Sequence, residues 1–402
     1  MEYPLEGIRV LEWGIFHAGP GSTATLGDLG AEVVKIEQRG QGDPIRLRVQ
    51  YGHTNLELPG GTNLFFEGAN RNKKSIAIDL GKEKGRQLVY RLVPHFDVFL
   101  TNIRRKTVER MGMSYSTLAA INPQLIYVSV SCYGPLGPDS DVGGFDFQGQ
   151  ARAGLMYGMG TADSPPLVLH FAMIDQATTI VTSQAVLAAL IMRQRTGKGQ
   201  HVQTSVLGSA LHLAYFNYLY GLWFRKDMFR HDRADTDPAR NYYRGSDGKY
   251  FMLTVMTGAQ WAALCQAIGR PELANRLVLA ATGSRAQNIA RELIATLDGV
   301  FATKTRDEWL SIFKELDLFA CPVHQTSELE SDLQIRENYL DAIEHPLLGK
   351  VSIPGFPARF SEGRAGTYKP APRLGEHTEQ VLRDLGGCSE EELQQLRGEE
   401  VI

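Results

Sequence analysis

The chain has 402 residues, of which 43% are hydrophobic and 22% are charged, with a formal net charge of −3 at pH 7. These proportions are typical of a folded globular protein, and they exclude extensive disorder. A protein that binds nucleic acid or an anionic membrane through electrostatics normally has a basic surplus, so neither partner is expected. A chain of this length is expected to form two or more folding units.

The sequence also bears on the cellular compartment. The segment Met1–Gly7 lacks the basic start and apolar run of a secretory signal. The most aromatic run, Ala214 to Phe224, is shorter than the roughly 20 residues that span a bilayer. Four widely spaced cysteines form no CxxC pair: Cys132, Cys265, Cys321 and Cys388. This pattern disfavours a metal site or a disulfide framework, so we expect a cytoplasmic protein.

In the first half of the chain, β-rich runs alternate with helical patterns. The predicted strands are Ile8–Trp13, Ala31–Ile36, Ser75–Asp79, Asp97–Thr101 and Leu125–Val130. The predicted helices are Gly21–Gly30, Glu83–Val93 and Thr107–Ile121. Such alternation indicates an α/β fold with a mostly parallel sheet, and ligands then bind at the carboxyl ends of the strands. Here those ends lie near residues 14–20, 37–40, 79–81 and 102–105.

The second half predicts a long helix from Asp175 to about Arg193, a strand at His201–Ser205 and an aromatic helix ending near Phe224. A hairpin signal then covers Tyr242–Thr254 and is followed by helical patterns, which predicts a smaller α+β unit. The expected domains are a large α/β domain over 1–224, a linker over 225–240, the small domain over 241–330, and a return segment over 331–402 that completes the large domain.

Several common catalytic motifs are missing from the sequence. There is no GxxxxGK[ST] phosphate loop, no HExxH and no GxSxG elbow. The glycines after the first predicted strand, Gly14, Gly19 and Gly21, do not have GxGxxG spacing. A dinucleotide-dependent oxidoreductase is therefore only a distant alternative, despite the Rossmann-like alternation.

A resemblance emerges from several segments taken in order. They are Pro4–Leu11, Ala18–Pro20, Leu26–Glu37, Gly42–Pro44, Asn72–Leu80, Asp97–Asn102, Met111–Gly112, Asp175, Thr196–Gln200 and Leu374–Thr378. Together they resemble the family III CoA-transferases, also called the CaiB/BaiF family, which include formyl-CoA:oxalate, carnitine and benzylsuccinate CoA-transferases. The resemblance extends over nearly the whole chain.

The resemblance implies a large Rossmann-like α/β domain built from both chain ends, a smaller α+β domain, and two interlocked subunits. It implies a homodimer, or a heterodimer with a homologous subunit. The implied substrates are an acyl-CoA and a carboxylic acid, with coenzyme A as a substrate and no tightly bound cofactor or metal.

Asp175 matches the family's nucleophile, which attacks the acyl-CoA carbonyl and then carries CoA as an aspartyl thioester. The residue pattern alone favours a different role, in which Asp175 is an ordinary helix N-cap ahead of Gln176. The two roles are compatible, because a helix N-terminus favours the carboxylate anion.

The resemblance also transfers a set of CoA contacts. They are His17, Ala18, Arg39, Ile78, Asp79, Leu80, Gly81, Asn102, Ile103, Arg104, Arg110, Gly143, Gly144, Phe145 and Asp146. The arginines would serve the phosphates and adenine, although any one of them can equally be a solvated surface charge.

Departures from the family pattern define the expected reaction. Racemases of this fold place a histidine where Phe145 stands, and phenylalanine cannot transfer protons. His17 replaces a glutamine of oxalate-handling members, and Gln38 and Gly143 replace basic residues. We expect an acceptor larger than oxalate, such as a dicarboxylic or aryl-substituted acid, with succinyl-CoA as donor. The alternatives are a CoA-dependent racemase or intramolecular isomerase, and a CoA-binding subunit of a heteromeric transferase.

Overall fold

The structure, a computed structural model, describes residues 2–161, 163–227, 230, 232–233, 236–276 and 284–402. The chain divides into two compact units. The first contains Met1–Met156, Val168–Lys226 and Glu337–Ile402, and the second contains Tyr157–Leu167 and Asp227–Arg336.

The boundary differs from the expected one, because residues 157–167 belong to the second unit. Arg230 explains this grouping, since its guanidinium donates to the carbonyl oxygens of Met159 at 2.7 Å and Pro165 at 3.0 Å. Part of the linker expected over 225–240, namely residues 228, 229, 231, 234 and 235, lies outside the described residues.

The regular elements follow one another in chain order. They are β1 (Arg9–Trp13), α1 (Ala18–Asp28), β2 (Glu32–Glu37), β3 (Gln50–Tyr51), β4 (Thr54–Asn55), β5 (Glu57–Leu58), β6 (Thr62–Asn63), α2 (Leu64–Asn70), β7 (Lys73–Ala77), α3 (Glu83–Leu92), β8 (Val98–Thr101), α4 (Arg105–Arg110), α5 (Tyr115–Ile121), β9 (Ile126–Ser131), α6 (Asp146–Arg152), α7 (Leu155–Gly158), α8 (Met173–Thr196), β10 (Gln200–Ser205), α9 (Val206–Leu213), α10 (Tyr215–Phe224), β11 (Arg240–Arg244), β12 (Tyr250–Thr254), α11 (Gly258–Ala267), α12 (Ser284–Phe301), α13 (Arg306–Glu315), β13 (Phe319–Val323), α14 (Leu333–Tyr339), β14 (Leu340–His345), β15 (Gly349–Pro354), α15 (Thr378–Asp384) and α16 (Glu390–Gly398).

The first unit is built on a six-stranded sheet in the order β10-β9-β8-β1-β2-β7, with every neighbouring pair parallel. Consecutive residues of β1 face opposite sides of the sheet, so that Val10 and Leu11 enter two different apolar clusters. Both faces of the sheet are therefore covered, as parallel sheets require. The α/β fold with a parallel sheet is confirmed.

The strand order contains one reversal of direction. From β1 the chain proceeds through β2 to β7 on one side, and then crosses to β8, β9 and β10 on the other. The loops after β1 and β8 consequently diverge from a shared edge, which opens a crevice at the carboxyl ends of these strands. This switch point positions the candidate site.

The predicted helix over Thr107–Ile121 is wrong, because two shorter helices occupy this stretch. Gly112 has φ of +70°, a left-handed conformation that ends α4. Ser114 then caps α5, accepting the N–H of Thr117 at 3.3 Å.

Helix α8 has the length and hydropathy of a membrane span, and it is the one such helix in the described part of the chain. One of its faces is buried in the first unit, where Ile174, Thr178, Thr182 and Val186 are inaccessible to solvent. Core helices of globular proteins meet the same criterion, so length and composition here do not indicate a membrane protein.

The second unit contains a three-stranded antiparallel sheet, β11-β12-β13, with α11, α12 and α13. The predicted hairpin is confirmed, with Tyr243 opposite Phe251. An aromatic core stabilises the unit, in which Phe301 contacts Trp309 edge-on at a ring distance of 5.1 Å. The third strand, β13, is not apparent in the sequence pattern.

Candidate active site

A cavity of about 860 Å³ lies at the switch point of the large sheet. Its walls are Ile15–Ala18 after β1, Thr101–Arg105 at the end of β8 and beyond it, Ser129–Cys132 at the end of β9, and residues 140–145 before α6. Asp175 completes the wall from the first turn of α8. The cavity therefore joins loops that the strand order brings together at the carboxyl edge.

Asp175 is the third residue of α8, and it does not cap the helix. The N-cap position belongs to Ala172, which makes no side-chain capping bond. The carboxylate of Asp146 replaces that cap, because its Oδ2 accepts the N–H of Ile174 at 2.6 Å and of Asp175 at 3.0 Å. The N-cap role that the sequence pattern favours for Asp175 is wrong, and its side chain is left for other chemistry.

The Asp175 carboxylate is half-buried and has no hydrogen-bond partner among the described residues. Burial and the neighbouring Asp146 carboxylate raise the pKa of Asp175 to about 7. At neutral pH a large fraction of this group is therefore an anion that accepts no hydrogen bond from the described residues. Such a carboxylate is a suitable nucleophile.

The backbone on both sides of the cavity adopts left-handed conformations at non-glycine residues. Phe171 and Ala172, directly before α8, have φ of +59° and +55°. Phe16, before the start of α1, has φ of +59°. Such conformations are costly for residues with a Cβ and concentrate at functional sites. Here they set the positions of Asp175 and His17.

His17 lines the cavity and contacts the first turn of α8. Its Nε2 lies 2.9 Å from Oε1 of Gln176, the residue after Asp175. Burial lowers the pKa of His17, so the imidazole is neutral at pH 7. Its Nδ1 is buried and has no hydrogen-bond partner in the described structure.

Four fully buried ionic side chains lie behind the loop that carries His17, and we call them the buried ion cluster: Glu12, Lys35, Asp43 and Lys73. Lys35 Nζ lies 2.7 Å from Glu12 and 2.9 Å from Asp43, and Lys73 Nζ lies 2.7 Å from Glu12. Burial alone would raise the pKa of Glu12, but the two lysines lower it to about 2. Burial lowers the pKa of Lys73 to about 7, whereas its carboxylate partners raise the pKa of Lys35.

The buried ion cluster also holds the backbone of the loop after β1. Lys35 Nζ donates to the carbonyl oxygen of Gly14 at 2.8 Å. Asp43 Oδ1 accepts the N–H of Phe16 at 3.1 Å, which fixes the residue with the left-handed conformation. The position of His17 thus depends on charges that are themselves remote from solvent.

The structure brings most of the predicted site residues to this cavity. Those that line it are His17, Ala18, Asn102, Ile103, Arg104, Gly143, Gly144, Phe145 and Asp175. Asn102 has a structural task as well, since its side-chain amide bonds both the N–H and the carbonyl oxygen of Ile15 at 2.8 Å. The ring of Phe145 meets that of Phe16 edge-on at 5.4 Å.

The other predicted residues lie outside the cavity: Arg39, Ile78, Asp79, Leu80, Gly81, Arg110 and Asp146. Ile78 and Leu80 are core residues. Arg39 donates to the carbonyl oxygen of Ile402 at 2.9 Å, and the N–H of Asp79 donates to Val401 at 2.8 Å. The ends of β2 and β7 are therefore engaged by the last residues of the described chain, in a different half of the sheet from the cavity.

The cavity also contains residues that the sequence did not indicate: Tyr115, Ser129, Cys132, His201 and Gln203. His201 Nε2 lies 2.9 Å from Ser129 Oγ, and its ring stacks on Tyr115 at 5.1 Å. The signal for these residues is the alternation within β9 and β10. It places Tyr127 and Ser129 opposite His201 and Gln203 on one sheet face.

The fold and cavity define an α/β enzyme with a candidate carboxylate nucleophile at a topological switch point. A family model described as CoA-transferase family III matches residues 5–378. The chain belongs to this family, and it is a CoA-transferase that acts on acyl-CoA and carboxylic acid substrates.

Individual relatives extend over almost the entire chain. The succinyl-CoA:glutarate CoA-transferase of Mus musculus is 33% identical over 387 residues, covering 95% of this chain and 86% of that protein. The succinyl-CoA–D-citramalate CoA-transferase of Chloroflexus aurantiacus is 32% identical over 406 residues, covering 99% of this chain and 98% of that protein. A solved CaiB/BaiF family protein from Brucella suis has a TM-score of 0.84 and 30% identity, covering 96% of this chain and all of that one.

Proposed function

We propose that this enzyme transfers CoA from succinyl-CoA to a dicarboxylic or aryl-substituted acid through an aspartyl-CoA thioester on Asp175. The observation that carries the proposal is the Asp175 carboxylate itself. It lines the cavity from a helix turn that Asp146 caps, and it has no hydrogen-bond partner among the described residues. CoA would occupy the same cavity and contact residues such as Ala18, Asn102 and Gly144.

The first half-reaction loads CoA onto the enzyme. An Asp175 oxygen attacks the acyl carbon of the donor, the C–S bond breaks, and CoA thiolate leaves a mixed anhydride. The thiolate then attacks the aspartyl carbonyl carbon of that anhydride. The donor carboxylate departs, and Asp175 becomes a CoA thioester.

The second half-reaction reverses these steps with another acid. The acceptor carboxylate attacks the aspartyl carbonyl carbon, and CoA thiolate leaves a new mixed anhydride. The thiolate attacks the acceptor's acyl carbon, which releases the product acyl-CoA and the free Asp175 carboxylate. Each activated acyl group is exchanged for another, so the sequence needs no ATP.

The substrate class is supported by the names of two relatives, which use succinyl-CoA with glutarate or D-citramalate. Both acceptors are dicarboxylic acids. The cavity wall at Phe145 offers an exposed aromatic ring and no group that transfers protons. This favours CoA transfer over racemisation within the same fold.

The proposed assembly is a homodimer, or a heterodimer with a homologous subunit. Helix α10 supports it, because none of its residues is buried in the single chain. Phe216 is 82% exposed and Trp223 is 72% exposed on that helix. Apolar surfaces of this kind mark protein interfaces.

The covalent step is tested by incubating the enzyme with succinyl-CoA and analysing its peptides by mass spectrometry. The peptide containing Ile174-Asp175-Gln176 should gain the mass of CoA less water, and hydroxylamine should convert the same carbonyl to a hydroxamate. Asp175→Asn should abolish both modifications and transfer. Asp384→Asn, a change of an exposed carboxylate outside the cavity, is the matched control. Transfer by Asp175→Asn within about tenfold of wild type, equivalent to about 1.4 kcal/mol of barrier, would overturn the proposal.

A further inference from the structure

Resting on the proposed function, we infer that Gln150 is a positioning residue for the nucleophile. Its side-chain amide holds the Asp146 carboxylate against the first turn of α8, and it also holds the backbone of the segment that leads into that helix. The inference depends on three features of the structure: the complete burial of the amide, its hydrogen bonds, and the two groups that those bonds engage.

The Gln150 side chain is fully buried, and its amide makes three hydrogen bonds. Nε2 donates to Oδ1 of Asp146 and to the carbonyl oxygen of Leu169, the latter at 2.8 Å. Oε1 accepts the N–H of Leu169 at 2.9 Å. Both N–H donors of the amide are thereby used, and turning the amide over would place Oε1 against two other acceptor oxygens. The surroundings therefore fix the amide in one orientation.

The Asp146 carboxylate joins Gln150 to helix α8. Its Oδ1 accepts from Gln150, whereas its Oδ2 accepts the N–H groups of Ile174 and Asp175. Gln150 lies four residues after Asp146 on α6, so the two side chains lie on the same face of that helix. Without Nε2, the buried Oδ1 would lose the one hydrogen bond that the described residues give it, which is unfavourable. Gln150 therefore fixes the direction of the carboxylate that caps α8.

Gly149 allows α6 to lie close to the start of α8. A Cβ built on Gly149 would lie 3.5 Å from Cγ2 of Ile174 and 2.6 Å from Cγ1 of Val206, the first residue of α9. Real Cβ atoms essentially never show the shorter of these distances, so a larger residue would push α6 away. The missing side chain thus places the helix that carries Asp146 and Gln150 directly against its neighbours.

The second group that Gln150 holds is the segment that leads into α8. Leu169 is followed by Phe171 and Ala172, whose φ angles of +59° and +55° are left-handed. Such conformations are unfavourable for residues with a Cβ and persist where surrounding contacts hold them. Gln150 supplies such a contact, because it binds both backbone groups of Leu169. One amide thus restrains both the cap of α8 and the approach to the helix that presents Asp175.

This arrangement links Gln150 to the rate and to the pH dependence of the reaction. Burial and the Asp146 carboxylate raise the pKa of Asp175 to about 7. Once the amide is removed, the Asp146 carboxylate can turn away from α8. Its contribution to that pKa then falls, and the Asp175 carboxylate loses its fixed direction. A side chain that only fills space would change neither property when its volume is retained.

The test compares Gln150→Met, which retains most of the volume without the hydrogen bonds, with Gln87→Met. Gln87 is the matched control, because on α3 its Nε2 donates to the carboxylate of Glu83, also four residues earlier, at 2.7 Å. Single-turnover formation of the Asp175 adduct from saturating succinyl-CoA should be about 10- to 100-fold slower in Gln150→Met. The midpoint of its pH profile should lie about half a pH unit lower. The Kd of CoA, measured by calorimetry, should stay within about threefold of wild type. Gln87→Met should match wild type in all three measurements.

A second variant, Gln150→Glu, separates the hydrogen bond to Asp146 from packing. Two adjacent buried carboxyl groups retain one proton between them at pH 6, so the introduced group can still donate to Asp146 and accept from Leu169. Adduct formation at pH 6 should therefore be about threefold or more faster in Gln150→Glu than in Gln150→Met. Thermal denaturation at pH 6 checks that each variant is folded.

The outcomes distinguish this inference from the proposed function. Absence of the Asp175 adduct in both wild type and Gln87→Met would refute the proposed function. With the adduct present in both, an unchanged rate and an unmoved midpoint in Gln150→Met would overturn the inference alone. Equal rates for Gln150→Met and Gln150→Glu at pH 6 would also overturn it, because the hydrogen bond to Asp146 would then not position the nucleophile. If Gln150→Met does not fold, a wild-type rate in Gln150→Glu from pH 6 to pH 9 would overturn it.

Discussion

Asp146 and Asp175 are joined by a hydrogen bond of 3.0 Å, in which the buried carboxylate of one accepts the backbone N–H of the other. The same bond geometry brings two carboxylates close together at the start of α8. Asp146 thus fixes the position of the nucleophile's backbone and also makes its side chain harder to ionise. The Asp146 carboxylate is therefore both the cap of α8 and the negative charge beside the Asp175 side chain.

The activity should therefore depend on pH through Asp175. Because its pKa is raised to about 7, the rate of aspartyl-CoA formation should rise as pH increases through that value. Asp146→Asn keeps an acceptor oxygen for the helix but removes the neighbouring charge, so the midpoint should move to lower pH. The measurement is single-turnover adduct formation between pH 5 and 9. A midpoint unmoved by Asp146→Asn would contradict the assigned cause.

The same pKa predicts a pH-dependent effect on stability. The pKa of Asp175 is higher in the folded protein than the ordinary value of 3.8, so ionisation weakens folding as pH rises from about 4 through about 7. Asp175→Asn removes this cost. Its Tm relative to wild type should be higher at pH 8 than at pH 5, measured by thermal denaturation. Asp384→Asn should show the same Tm difference at both values.

Phe145 should keep the enzyme from exchanging the α-proton of a chiral 2-methylacyl-CoA. The residue lines the cavity and its ring meets Phe16, but it has no titratable group. In heavy water, mass spectrometry should detect no deuterium in the recovered substrate during many turnovers of CoA transfer. Exchange at a rate comparable to transfer would refute the assignment.

The buried ion cluster predicts unequal effects for its two lysines. Lys35 contacts both Glu12 and Asp43, whereas Lys73 contacts Glu12, which Lys35 also compensates. Lys35→Met should therefore destabilise the protein by about 3–5 kcal/mol, because it leaves a buried carboxylate unpaired. Lys73→Met should cost less. Urea denaturation at pH 8 measures the free energy of unfolding of both variants. An equal loss in the two would show that the buried Asp43 carboxylate does not need Lys35 as its ion-pair partner.

Helix α10 predicts an assembly whose interface is well above the usual 1,600 Å² or so of stable complexes. Light scattering of the purified protein should give twice the mass of the chain, or an associated homologous subunit. Trp223→Lys, a change on the exposed aromatic face, should shift the mass towards that of a monomer. A stable, fully active monomer in wild type would contradict the prediction.

The sequence predicts secondary structure well where apolar residues recur in a regular local pattern. The run of β-branched residues Val33, Val34 and Ile36 is sufficient to predict a buried strand, and similar runs predict the parallel sheet. The family resemblance points to Asp175 without any knowledge of its surroundings. Local patterns therefore account for most elements, and the family resemblance accounts for the candidate nucleophile.

Local sequence patterns do not predict contacts between residues that are far apart in the chain. Asp146 lies 29 positions before Asp175, and no local pattern predicts that it caps α8. Arg39 and Asp79 lie at or just after the ends of predicted strands, as Asn102 does. Strand order, however, places these two strand ends in the half of the sheet that contacts residues 401–402. Which strands are neighbours depends on the packing of the entire unit, and this decides which strand ends share the cavity.

The return of residues 337–402 to the first unit affects the order in which the protein folds during synthesis. The N–H of Ser75 in β7 donates to Nδ1 of His377, which the ribosome adds 302 positions later. At about 5–20 residues per second, that interval lasts roughly 15 to 60 s. Throughout this time β7, an outer strand of the sheet, lacks its last partners, whereas residues 227–336 emerge as one continuous stretch. The second unit can therefore fold on the ribosome before the unit that contains Asp175 is complete.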